Sequence, residues 1–169
     1  NPSIREQLRK RKYFWLIIGF FLIILTFILG TYPGGDGPKL WLGARGLYFQ
    51  PSEFLKIIFI VYLSSYFAEY PSGKFDINRT ILPTLIFIIS LLGLLIGQHD
   101  LGTALIFIVL YILMLYFAFG KKRILLVGGL IVIIIALLGY FSIDLIKMRF
   151  QAWIVPWGDA QAGSYQIIQ

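Results

Sequence analysis

The chain has no cysteine and a single histidine, His99, in 169 residues. The lack of cysteine excludes disulfides and thiolate metal sites, and one imidazole excludes a multi-histidine metal site. Charge is also scarce, because Asp, Glu, Lys and Arg together make up only 14% of the residues, against about 25% in ordinary soluble domains. Walker, Rossmann, HExxH and GxSxG motifs are absent, so nucleotide-driven coupling has no support in these residues.

Apolar residues fill the sequence instead. They make up 59% of the chain, and the mean hydropathy is +0.83. They are concentrated in five long runs, residues 13–30, 54–70, 81–97, 101–120 and 124–142. A hydrocarbon core ~30 Å thick needs about 20 helical residues, and a helix satisfies its own backbone hydrogen bonds in lipid. The sequence therefore predicts an all-α, polytopic transmembrane helix bundle with five spans.

The runs divide the chain into three parts. We expect residues 1–12 to form a basic cytoplasmic lead-in and residues 13–142 to form the five spans with short loops. Residues 143–169 mix aromatic and polar side chains, which favours an extracytoplasmic segment at the membrane interface. Because the chain starts at Asn1 rather than Met and stops within this polar segment, we interpret it as a fragment of a longer membrane protein.

The net charge of +7 raises the question of nucleic-acid binding, but the positions of the basic residues argue against it. If Asn1 is cytoplasmic, ten of the 15 basic residues lie inside, which fits the positive-inside rule. These clusters are topology signals that also meet anionic lipid, and we predict no nucleic-acid partner. The basic residues on the outer half are Lys39, Arg45, Lys56, Lys147 and Arg149.

Two candidate polar groups lie at the outer ends of predicted spans. Glu53 and Lys56 are three residues apart, so they share one helical face. They form an ion pair that fixes the helix, a polar wall for an anionic lipid headgroup with Lys56 or Arg45 meeting phosphate, or both at once. Asp100 precedes the fourth span, where it is either an N-cap or a carboxylate at the outer mouth of a cavity. His99, in the same turn, is a solvated loop residue in the simplest interpretation.

Two sequence motifs near the first outer loop and the second outer turn resemble those of one bacterial family. Residues 50–56, QPSEFLK, resemble the QPSE-x-x-K signature of the RodA/FtsW/SpoVE family, the shape, elongation, division and sporulation proteins. Trp41 resembles the loop tryptophan of that family. Residues 98–104, QHDLGTA, are similar to the family's QPDLGT, with His99 where proline is usual.

A third motif extends the resemblance to the end of the chain. Residues 156–169 are similar to the family's PW-x-DP…G-x-GYQ…Q segment, with Ala160 replacing a proline and Ser164 a glycine. This segment includes Asp159 and Gln166, which could also hydrogen-bond sugars, although any polar loop offers such groups. The three motifs occur in the family's order.

The resemblance implies the amino-terminal to middle portion of a protein of about ten spans in the bacterial cytoplasmic membrane. It implies a peptidoglycan glycosyltransferase that polymerises lipid II at the outer face with a class B penicillin-binding protein. The family's proposed catalytic aspartate would lie beyond Gln169, so the catalytic residue is unknown here and the fragment itself is expected to be inactive. The alternatives are a lipid II flippase and a non-enzymatic scaffold for the penicillin-binding protein.

The same resemblance assigns substrate-binding candidates. These are Lys39, Arg45, Gln50, Glu53, Lys56, Asp100, Asp159 and Gln166. No metal site and no cofactor are evident in the sequence, and the resemblance leaves room for a divalent cation that assists the reaction.

Overall fold

The computed structural model describes residues 6–7, 10–33, 37–69 and 80–154. The chain divides into two compact units, Asn1–Leu125 and Leu126–Gln169. The elements, in chain order, are α1 (Lys12–Leu29), β1 (Leu42–Ala44), β2 (Leu47–Phe49), α2 (Pro51–Phe67), α3 (Leu82–Gly97), α4 (Leu101–Phe119), α5 (Lys122–Ser142) and α6 (Asp144–Ile154).

The predicted all-α membrane helix bundle is confirmed. Each of the five apolar runs coincides with one of the helices α1 to α5. By length and composition, α1, α4 and α5 can cross a membrane, and α3 is a shorter apolar helix of 16 residues. The helix α2 has 17 residues and carries a carboxylate and an ammonium group in its first two turns.

The helix ends follow from local residue chemistry. α2 begins at Pro51, which suits the first helical position because its missing N–H is not needed there. α4 ends before Gly120, whose φ of 66° is a left-handed conformation that glycine adopts without steric cost. With Pro51 as its first residue, α2 begins three residues before the apolar run at residue 54.

A β-hairpin connects α1 to α2. Its strands pair antiparallel in the register Leu42↔Phe49, Gly43↔Tyr48 and Ala44↔Leu47. The two loop residues, Arg45 and Gly46, both have positive φ, at 56° and 88°, as a type I′ turn requires. The sequence predicted a loop between the first two spans, and the structure shows a paired hairpin in this part of the chain.

In the first unit, the packing of the helices sets their direction. Tyr62 of α2 contacts Tyr13 near the start of α1. Gly19, about one and a half turns further along α1, packs against Leu55, which lies nearer the start of α2. The helices α1 and α2 are therefore antiparallel. The ring pairs Phe59–Phe107 and Phe67–Phe119 rise together along α2 and α4, so these two helices are parallel.

The core of this unit is aromatic at its centre. Phe59 is fully buried, and its ring contacts Phe87 of α3 and Phe107 of α4 at centroid distances of 5.9 and 5.2 Å. Phe87 also contacts Phe20 of α1 and Tyr62 of α2 at 5.2 and 5.4 Å. The cluster therefore joins four helices and fixes their positions relative to one another along their axes.

The packing creates two opposite ends in the first unit. The "hairpin end" contains the last turn of α1, the hairpin, the first turn of α2 and the turn that connects α3 to α4. At the "Lys12 end", the ammonium of buried Lys12 lies 2.6 Å from the Glu69 carboxylate. The same ammonium lies 5.2 and 5.4 Å from the ring centroids of Tyr13 and Tyr66, so aromatic faces supplement the ion pair.

The second unit contains most of α5 and all of α6. Most side chains of α5 are exposed apolar groups, as a lipid-facing span requires. Tyr140 near its end contacts Phe150 of α6 at a centroid distance of 5.4 Å. The predicted interfacial segment 143–169 thus begins as a helix, and residues 155–169 lie outside the described residues.

Candidate functional site

The first turn and a half of α2 carries an ion pair at the hairpin end. The Lys56 ammonium donates to Glu53 Oε1 at 2.8 Å and also lies 2.8 Å from Oε2. The Lys56 side chain is 19% exposed and that of Glu53 57% exposed, so the ammonium is the more enclosed partner. The predicted pairing of these two residues is confirmed. An exposed pair of this kind contributes little to stability on its own.

The turn from α3 to α4 is a Schellman motif. The N–H of His99 donates to Ile96 O at 2.9 Å, and the N–H of Asp100 donates to Leu95 O at 2.9 Å. His99 has a φ of 60°, so it occupies the left-handed position that glycine usually takes in this motif. The imidazole itself is exposed. The tight turn predicted from the sequence is confirmed, and it places Asp100 directly at the start of α4.

Asp100 caps α4 and has one carboxylate oxygen to spare. Its Oδ1 accepts from the Thr103 N–H at 3.1 Å, which confirms the predicted N-cap. The residue is only 9% exposed, and its Oδ2 is buried without a hydrogen-bond partner among the described residues. Buried carboxylate oxygens normally have partners, so an unpaired one marks a place where a donor is missing.

A second unpaired group lies on the neighbouring helix. Ser52, in the first turn of α2, is 4% exposed, and its Oγ has no partner among the described residues. Because α2 and α4 run parallel and are held level by the Phe59–Phe107 contact, the starts of both helices lie at the same end. The hairpin end therefore holds two buried, unpaired oxygens, on Ser52 and Asp100, and Ser52 lies four residues before Lys56 on α2.

The same end is tied to α1 by an amide. Gln98 is 8% exposed, and its Nε2 donates to Ile23 O at 3.1 Å. This hydrogen bond joins the end of α3 to a helix 75 residues away in sequence. Ser52 and Gln98 belong to the motifs at residues 50–56 and 98–104, but the sequence alone predicts no role for them. Their membership in those motifs was the only available signal, since burial cannot be read from a single polar residue.

The remaining predicted residues are distributed around this end. Gln50 precedes α2, where its backbone carbonyl accepts from the Glu53 N–H at 3.1 Å and its side chain makes no cap. Arg45 is exposed at the hairpin turn, and Lys39 is exposed before β1. The structure brings neither cation into contact with Glu53 or Asp100. Asp159 and Gln166 lie outside the described residues.

This arrangement offers complementary hydrogen-bonding groups. Lys56 supplies charged donors, which suit phosphate oxygens, whereas Asp100 Oδ2 accepts and Ser52 Oγ can accept or donate. A ligand with both phosphate and hydroxyl groups would match the set. Within the described ranges, no three His, Asp or Glu side chains lie close enough to hold a metal ion. The assisting divalent cation therefore stays a prediction.

The chain is similar to known proteins over nearly its whole length. Residues 3–169 match the family model for the FtsW/RodA/SpoVE group, described as "Cell cycle protein". A probable peptidoglycan glycosyltransferase FtsW from Geobacter sulfurreducens is 33% identical over 150 residues, which is 88% of this chain and 40% of that protein.

Two further relatives carry different names. Stage V sporulation protein E from Bacillus subtilis is 30% identical over 91% of this chain and 42% of its own length. The peptidoglycan glycosyltransferase RodA of Mycobacterium leprae is 24% identical over 99% of this chain and 38% of its own length. The chain thus spans about two fifths of the length of these curated relatives. No solved structure matches the chain.

Proposed function

Since the chain belongs to the FtsW/RodA/SpoVE family of cell cycle proteins, we propose that it is part of a peptidoglycan glycosyltransferase that elongates glycan strands from lipid II. In this reaction a glycan hydroxyl attacks the anomeric carbon of a lipid-linked sugar. The bond between that carbon and the pyrophosphate oxygen breaks, the hydroxyl proton passes to a base, and the lipid pyrophosphate leaves. The names of the FtsW and RodA relatives support this class of reaction.

The observation that carries the proposal is the set of polar groups at the hairpin end. Lys56 would bind the pyrophosphate and stabilise its developing charge, which is the role that cations serve for transferring phosphate groups. Glu53 would hold Lys56 in place through the 2.8 Å hydrogen bond. Asp100 Oδ2 and Ser52 Oγ would accept hydrogen bonds from hydroxyl or amide donors of the substrate, since they have no partner within the described chain. None of these groups is assigned as the catalytic base.

The proposal also fixes an orientation. The hairpin end would face away from the cytoplasm, at the outer surface of the bacterial cytoplasmic membrane, where an exported lipid-linked sugar presents its headgroup. The opposite end carries Lys10, Arg11, Lys12, Lys121 and Lys122 among its described residues. Basic residues concentrate on the cytoplasmic side, so this distribution supports the orientation. A class B penicillin-binding protein would act as the partner.

The test is polymerisation of purified lipid II by the full-length protein with its partner. We expect Lys56→Ala to lower the rate on the order of 10²-fold, the usual effect of removing one transition-state donor. Lys122→Ala is the matched control, because it removes an exposed lysine from the opposite end. Unchanged polymerisation by folded Lys56→Ala protein would remove this residue from the site.

The two other hypotheses give different results in the same system. A flippase would move lipid II across liposomes without forming polymer. A scaffold would bind its penicillin-binding protein and show no turnover of lipid II. In the described part of the first unit, the Asp, Glu, Lys and Arg side chains lie towards the two ends rather than along a continuous path, which favours the glycosyltransferase over the flippase.

A further inference from the structure

One face of the hairpin between α1 and α2 is apolar throughout. Side chains alternate along a strand, so the cross-strand pairs Leu42↔Phe49 and Ala44↔Leu47 lie on one face and the pair Gly43↔Tyr48 on the other. Leu47 is 83% exposed and Phe49 48% exposed. We call the side chains of Leu42, Ala44, Leu47 and Phe49 the apolar hairpin face.

Water is a poor environment for this face. A two-stranded hairpin is only marginally stable alone, and an open apolar face beside unpaired strand edges promotes association. Phe49 does contact Phe54 at a centroid distance of 6.4 Å, yet both side chains keep more than a third of their surface open. Within the described residues, nothing covers Leu47.

The hairpin is held next to the bilayer by its two attachment points. At one side, the backbones of Thr31 and Trp41 exchange hydrogen bonds of 2.8 and 3.2 Å directly after α1. At the other side, β2 runs into α2 through Gln50. A three-residue strand reaches about 10 Å at ~3.3 Å per residue, whereas the headgroup layer on each side of a bilayer is roughly 5–8 Å thick. An upright hairpin would lift Leu47 into water, and a hairpin lying flat would set it on lipid.

The charged and aromatic residues of this segment fit the flat position. Arg45 at the turn and Lys39 before β1 are both exposed, and neither makes an ion pair with any described residue. Guanidinium and ammonium groups at a membrane surface bind lipid phosphates, and tryptophan and tyrosine are enriched at that depth. Trp41 supplies such an aromatic ring at the start of the hairpin, where its backbone pairs with Thr31.

We propose that the hairpin is an interfacial anchor that lies flat on the membrane. The apolar hairpin face inserts at the boundary between headgroups and acyl chains, and Arg45 and Lys39 bind phosphates of anionic lipid headgroups. The anchor would hold the hairpin end at the membrane surface. This proposal rests on the membrane location alone and is independent of the glycosyltransferase function.

Depth measurements on the full-length protein in vesicles test the position of the hairpin. Ala44→Cys or Leu47→Cys, each in an otherwise cysteine-free version of the protein, would carry a fluorophore that responds to its environment. We expect both labels to be quenched by lipids with a doxyl group high on the acyl chain and shielded from aqueous iodide. A label on Tyr48→Cys, on the opposite face, is the control and should be more accessible to iodide. Equal iodide access at all three positions would overturn the proposal, and so would shielding that requires the partner protein.

A second variant tests the role of the charge without weakening the turn. Arg45→Asn creates Asn-Gly, the sequence that type I′ turns prefer, while it removes the cation. One cation near an anionic surface contributes about fivefold in equilibrium constant. In vesicles that contain phosphatidylglycerol, Arg45→Asn should lower the ratio of lipid-quenched to iodide-accessible label at residue 47 by about this factor. In phosphatidylcholine vesicles it should not. An unchanged ratio in phosphatidylglycerol would contradict lipid phosphate binding by Arg45.

Discussion

The two carboxylate oxygens of Asp100 have different surroundings, and substitutions can separate their effects. Its Oδ1 caps α4 at 3.1 Å from the Thr103 nitrogen, and its Oδ2 is buried without a described partner. Serine is as good an N-cap as aspartate but has only one oxygen, whereas alanine has none. Asp100→Ser therefore keeps the cap and removes the spare oxygen. Asp100→Ala removes both.

The expected changes in stability follow from these two terms. Loss of an N-cap costs about 1 kcal/mol, so Asp100→Ala should unfold with a free energy about 1 kcal/mol lower than Asp100→Ser. A buried acceptor without a partner costs about 1–3 kcal/mol, and both substitutions relieve that cost. Asp100→Ser should therefore be at least as stable as the native protein. Reversible unfolding in mixed micelles with increasing sodium dodecyl sulfate measures these differences.

Activity should not follow stability. If Oδ2 accepts a hydrogen bond from the substrate, both variants lose one charge-assisted contact worth about 1.5–3 kcal/mol, or on the order of tenfold to a hundredfold in lipid II polymerisation. Asp144→Ser, which changes an acidic residue in the first turn of α6, is the control and should keep the native rate. Normal polymerisation by Asp100→Ser, with a loss only in Asp100→Ala, would show that Asp100 acts solely as a cap. That result would refute the reasoning.

Two other local features give sharp predictions for the same unfolding measurement. His99→Gly should stabilise the protein by about 0.5–1 kcal/mol because glycine reaches positive φ without steric cost. His99→Pro should destabilise it by about 3 kcal/mol or more, because proline fixes φ near −65° and has no N–H to donate to Ile96 O. Equal stability of the two variants would contradict the Schellman turn. Gly30→Ala should destabilise by about 1–3 kcal/mol because its Cβ would collide with the backbone carbonyl of Lys39, and Gly93→Ala, which meets no atom within 4 Å, is its control and should lose nothing.

The positions of the helices could be predicted from the sequence because each reflects a local property. An apolar run of sufficient length has one stable backbone conformation in lipid, so residues 13–142 yielded helices at the expected places. The Glu53–Lys56 pair and the Asp100 cap were also predictable, since each depends on a spacing of three residues along one helix.

Features that depend on contacts between distant segments could not be predicted in this way. Lys12 and Glu69 are far apart in sequence, and nothing local indicates that they meet at 2.6 Å. The burial of Ser52 depends on how α2 packs and not on its own motif. The hairpin was missed because its turn is Arg45-Gly46, and arginine carries no strong preference for positive φ.

The parallel packing of α2 and α4 explains why polar groups accumulate at one end. Helix N-termini carry a partial positive charge, and this end contains two of them side by side, with Glu53 in the first turn of one helix and Asp100 at the cap of the other. Lys56 forms an ion pair with Glu53, whereas no described cation forms one with Asp100. Aromatic contacts of Phe59 deeper in the core hold the two helices level, and the buried oxygens Asp100 Oδ2 and Ser52 Oγ have no hydrogen-bond partner among the described residues. Buried polar groups normally have partners, so two such oxygens at one end of a packed core support the proposed binding role more than a purely structural one.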